Sequence, residues 1–97
     1  MTIDLFLCGF KGLQVLDHLC TAGYGKHIQS IIAARDINVI NDYFDDIKST
    51  SEKHGLHFIE RGNDTSHTKA DYRFVIGWRW MLSDLHNTIV FHDSLLP

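Results

Sequence analysis

Proline is almost missing from this chain: the one proline is Pro97, the last residue. No strand or helix before it is fixed or broken by a pyrrolidine ring, so the punctuation must come from the seven glycines. Cysteine is scarce too. Cys8 and Cys20, both in apolar surroundings, exclude a disulfide framework and read as small buried hydrophobes in a reducing cytoplasm. No apolar run approaches the ~20 residues that cross a bilayer. The opening Met1-Thr2-Ile3-Asp4 lacks the basic stretch of a signal peptide, so a cytoplasmic protein is expected. A basic excess is absent as well: the net charge of −3 argues against a nucleic-acid-binding face. What remains is 97 residues, 44% hydrophobic and 22% charged, the composition of one globular domain over 1–97.

Strand and helix periods alternate along the chain. Ile3 to Cys8 is a short apolar run, read as a strand buried on both faces, and it enters a glycine turn at Gly9-Phe10-Lys11-Gly12. Leu13, Leu16, Leu19 and Cys20 then fall on one helical face, and Gly23 and Gly25 end that helix. His27 to Ala34 is a second strand. Val39, Ile40, Tyr43, Phe44 and Ile47 mark a second helix running through Lys53, with Asp45, Asp46, Lys48, Glu52 and Lys53 on its solvated side. Leu56 to Ile59 is a third strand, Tyr72 to Trp78 a fourth and Asn87 to Phe91 a fifth. The polar stretch Glu60 to Asp71 reads as a surface loop with at most a helical turn. This pattern predicts an α/β, Rossmann-like parallel sheet of about five strands, order 3-2-1-4-5, with helices on both faces and incomplete at its carboxyl-terminal end. Ligands of such sheets bind outside the carboxyl ends, at the switch between strands one and four.

Several residues are candidates for a site at that edge. Gly9, Phe10, Lys11 and Gly12 could cradle a phosphate or other substrate group on the N-terminus of the first helix. The run is neither a complete G-x-G-x-x-G nor a P-loop, and a simple packing turn is the competing reading. Asp36, ending strand two, has the position of a ribose-binding acid, though alone it reads as a helix cap. Seven histidines raise the question of a metal. His54 and His57 straddle Gly55 and share no face, and neither cysteine completes a zinc set, so no metal is expected. His92, at the end of strand five, stands beside Asp93 and a Ser94-Leu95-Leu96-Pro97 tail.

Phe91-His92-Asp93-Ser94-Leu95-Leu96-Pro97 resembles the His-x-Ser-Leu-Leu-Pro signature of the folate-dependent formyltransferases, a family with the sheet order inferred above. Asp71 to Leu82 resembles that family's strand-four segment, in which an aspartate leads a buried strand into a Gly-aromatic loop around the pterin. Leu5 to Leu16 resembles its opening strand, glycine turn and helix. The likeness covers most of the chain, but only the terminal heptapeptide is specific.

The resemblance implies transfer of a formyl group from 10-formyltetrahydrofolate to a primary amine. By motif position His92 matches the catalytic histidine, and Gly77, Trp78, Arg79, Trp80, Met81 and Leu82 match the folate-binding loop. A histidine there would hydrogen-bond the formyl oxygen or move its proton. The family's asparagine partner, two residues earlier, is replaced by Val90, which cannot donate a hydrogen bond. The second catalytic carboxylate and a basic-Gly segment would lie beyond Pro97, so the chain as it stands is expected to be inactive. The acidic balance, with no face for tRNA, points to a nucleotide-linked amino sugar as acceptor, with a methionyl-tRNA formyltransferase-like piece as the alternative. Outside the family, the same residues fit a non-catalytic nucleotide-binding or oligomerising module, which would form a homodimer through an exposed sheet edge. An NAD-type domain is a third class, disfavoured by the incomplete glycine fingerprint.

Overall fold

The computed structural model describes residues 1–63, 70–78, 80 and 87–91. Five strands, β1 (Ile3–Leu7), β2 (Ile28–Ala33), β3 (Phe58–Glu60), β4 (Tyr72–Ile76) and β5 (Thr88–Phe91), form one sheet in the order β3-β2-β1-β4-β5. Every neighbouring pair is parallel. The expected α/β architecture and strand order are therefore present. Two helices, α1 (Gly9–Thr21) and α2 (Phe44–Lys53), link β1 to β2 and β2 to β3.

Both helices lie on one face of the sheet. Their connections step in the same direction, and right-handed crossovers moving the same way place their helices on the same side. The packing agrees: Ile3, Leu5 and Leu7 of β1, Leu16 of α1, Ile31 and Ala33 of β2, and Phe44 and Ile47 of α2 share one buried cluster. Central β1 is buried on both sides, which is why its sequence is apolar without alternation. Its Phe6 faces the other way, where it packs with Ile32 and Val75. Asp4, also pointing away from the helices, is fully buried between Ser30 and Arg73 in the strand register. Among the described residues both α-helices lie on the first face, and the surface loop expected over Glu60 to Asp71 falls largely on 64–69, outside the described residues.

Strand β4 ends at Ile76, two residues before Trp78, and β3 starts at Phe58, two residues after Leu56; both helix starts differ from the sequence reading as well. The helix after β1 begins at Gly9, so Gly9 to Gly12 is the first turn of α1, not a separate loop. Gly12 permits this tight entry: a Cβ there would sit 3.1 Å from the Leu7 Cβ. Helix α2 starts at Phe44, and Val39 and Ile40 lie in the preceding loop, Ile40 wholly exposed. The reason is competition for backbone amides by short polar side chains. Asp36 Oδ1 accepts from the Asn38 N–H at 3.0 Å, and Asn41 Oδ1 from the Tyr43 N–H at 2.8 Å. Asp42 takes the Asp36 N–H at 2.8 Å and the Phe44 N–H at 2.9 Å. Asp36 thus caps no helix; it closes a turn eight residues before one.

Candidate functional site

The switch between β1 and β4 is assembled around Cys8. The Cys8 N–H donates to the Ile76 carbonyl at 3.2 Å, joining the exits of the two strands. Gly77, the next residue on β4's side, has φ +68, and a Cβ there would collide with the Cys8 carbonyl oxygen. Only glycine fits: any side chain would meet both a left-handed backbone and a main-chain oxygen. Cys8 also donates its thiol to the Ala34 carbonyl at 3.4 Å, tying in the end of β2. Strand ends β1, β2 and β4 are locked together in this way.

Onto that floor the sequence places two candidate segments. The first turn of α1 carries Gly9, Phe10, Lys11 and Gly12. Its Gly9 N–H is taken by the Asp42 carbonyl at 3.0 Å, so the loop after β2 is fastened to the helix start. Phe10, half exposed, stacks at a tilt on Tyr43 with ring centroids 5.4 Å apart. Lys11 is exposed beside it, and the positive end of the α1 dipole adds to its charge. Asp42, which organises the loop, is held below the usual carboxylate range. Partial burial would raise it, but the N–H groups of Phe44 and Asp36 and the charge of Arg35 outweigh that.

The second segment leaves β4 through Gly77. Trp78 turns onto the face opposite α1 and α2 and packs edge-on against Phe6, 5.4 Å between centroids. Trp80 meets Trp78 edge-on at 5.2 Å. Trp78 Nε1–H is buried with no hydrogen-bond partner among the described residues. The indole of Trp78 is therefore part of the wall, fixed by Phe6. Arg61, just past β3, holds its guanidinium 4.8 Å from the Trp80 ring centre.

Of the residues singled out in the sequence, Gly9 to Gly12, Gly77, Trp78 and Trp80 are brought to one sheet end, the first group and Gly77 meeting through Cys8. Arg79, Met81, Leu82 and His92 lie outside the described residues. Val90 pairs with Val75 in β5–β4 register, on the face opposite α1 and α2, one residue before β5 ends at Phe91. Among the described residues there is no group of three or more His, Cys, Asp or Glu side chains able to hold a metal ion. Cys8 and Cys20 form no disulfide, and burial, then the nearby Asp17 charge, pushes the Cys20 thiol up. No helix among the described residues is long and apolar enough to cross a membrane.

Sequence reading missed two organising residues. Asp42 was legible in principle from the dense Asp36, Asn38, Asn41, Asp42 run, a composition of side chains that close turns. Arg61 left no local signal, because its partner is 19 positions away at Trp80. A separate groove of about 420 Å³ lies at the outer edge by β3, lined by Arg35, Phe44, Lys48 and Phe58 among others, away from the switch. Compared with known proteins, the chain matches no family model, no curated sequence and no solved structure.

Proposed function

We propose that this chain is the folate-binding portion of a 10-formyltetrahydrofolate-dependent N-formyltransferase whose acceptor is the primary amine of a nucleotide-linked amino sugar. The observation that carries the reading is the Phe91-His92-Asp93-Ser94-Leu95-Leu96-Pro97 run, which begins on the last residue of β5. That strand pairs directly with β4, whose exit through Gly77 is the other segment resembling the family.

The residues at the switch suit a flat heteroaromatic group. Gly77 keeps its backbone bare of a side chain, and the Trp78 and Trp80 rings supply apolar surface next to it. In this reading Gly77, Trp78, Arg79, Trp80, Met81 and Leu82 hold the pterin, with backbone groups on its edge. The folate supplies the formyl carbon. In the complete enzyme His92 would hydrogen-bond the formyl oxygen and steady charge on it as the amine adds, with no second donor from Val90. The first turn of α1 and Lys11 attract the phosphates of the acceptor nucleotide.

A second reading, an oligomerising module, draws support from β5. Ile89, Val90 and Phe91 are 44%, 45% and 47% exposed on an edge strand, the kind of edge that pairs with another copy. Thermal-shift titrations with 5-formyltetrahydrofolate, NADH and a nucleotide sugar, read beside the oligomeric state, separate these ideas. The formyltransferase reading expects stabilisation by the folate and none by NADH. Stabilisation by NADH alone, or a dimer indifferent to every ligand, would overturn it.

A further inference from the structure

We propose that Arg61 is a positioning residue for the Gly77–Trp80 loop, its guanidinium anchoring the Trp80 ring and so setting the loop's fit to a reduced folate; the ligand rests on the reading above. The backbone at Arg61 is fixed before its side chain reaches out. Its N–H donates to the Ala33 carbonyl at 2.7 Å, and the Asn63 N–H closes the turn on the Glu60 carbonyl at 3.0 Å. From that base the guanidinium stands 4.8 Å from the Trp80 centroid, inside the ~6 Å reach of a cation over an aromatic face.

The contacts then run as a line: Arg61 to Trp80, Trp80 to Trp78 at 5.2 Å, and Trp78 to Phe6 at 5.4 Å. The loop leaves the sheet from β4, yet Arg61 follows β3, three places away in the strand order and so roughly 14 Å across the sheet. Phe6 secures the near end of the aromatic segment on β1, and Arg61 secures the far end from the turn after β3. Arg61 itself is exposed, so removing its charge loosens the loop without opening the core. Lysine retains a cation able to sit over the ring, whereas glutamine and methionine approximate the length and lose the attraction.

The test compares the chain with its Arg61→Lys, Arg61→Gln and Arg61→Met variants, measuring tryptophan emission without ligand and the Kd for 5-formyltetrahydrofolate. Gln and Met are expected to weaken folate binding about 2- to 5-fold and to change the emission, while Lys stays near the unsubstituted chain in both. In a Trp80→Leu background, Arg61→Gln should add no further loss. Equal affinity for the Gln variant, or a Lys variant as weak as Gln, would overturn the proposal. If the unsubstituted chain binds no folate but emission responds as expected, the formyltransferase reading falls and Arg61 stands as the loop's anchor. Emission indifferent to Arg61 would remove the anchor itself.

Discussion

At the residue scale, the site depends on two positions where the usual preferences are set aside. Gly77 combines φ +68 with a Cβ path blocked by the Cys8 carbonyl. Gly77→Ala is expected to destabilise the chain by about 2 kcal/mol or more, since alanine meets strain in the backbone as well as a clash. Urea unfolding measures this, and a loss below about 0.5 kcal/mol would mean that the strand exits are not packed as described. Trp78 presents the opposite problem, a buried donor without an acceptor among the described residues. Leaving such a group unsatisfied costs about 1–3 kcal/mol, which offsets part of what the ring gains against Phe6. Trp78→Phe keeps an aromatic ring and deletes the donor, so its stability should lie within about 1 kcal/mol of the original. Trp78→Ala should lose about 2–4 kcal/mol. Equal losses for both variants would show that the orphan donor carries no penalty.

At the element scale, the loop from Arg35 to Tyr43 shows how side-chain hydrogen bonds redirect an apolar pattern. Val39, Ile40 and Tyr43 suggest helix by spacing, yet Asp36, Asn41 and Asp42 capture amides that a longer helix would need. Helix α2 therefore starts only after Asp42, whose carboxylate meets the Phe44 N–H. Asp42→Ala should cost about 1–2 kcal/mol through loss of this cap and of the bond to Asp36. The pH dependence has a defined sign. The Asp42 carboxyl is held lower in the folded state than in the unfolded chain, so its contribution is complete above the unfolded value of about 3.9. It is lost as pH falls through the lower folded value. The stability gap between the chain and Asp42→Asn should be flat above about pH 5 and shrink on acidification below about pH 4. A gap that widens in acid would contradict the assignment.

At the scale of the whole molecule, the sheet was legible from the succession of apolar periods along the chain. Five short apolar runs separated by helical periods and glycines left little choice but a parallel sheet, and handedness rules then narrowed the order. Boundaries were harder, because Gly9 and Gly12 read as turn residues although they enter α1 directly, Gly9 with φ +81 and Gly12 in close approach to Leu7. The site was legible only in part. Gly77 and Trp78 were found from a local pattern, whereas Arg61 reaches Trp80 through the fold, and no window of sequence contains both. His92 is supported by its motif, and its place in the fold lies outside the described residues.

The central claim is that a reduced folate binds at the carboxyl end of β4. Amide hydrogen exchange on the chain with and without 5-formyltetrahydrofolate tests it most directly, because it reads location as well as binding. The account predicts slowed exchange in peptides containing Gly77 to Trp80, with the outer edge by β3 and Lys48 unchanged. Protection confined to that outer edge, or none anywhere at saturating folate, would contradict it.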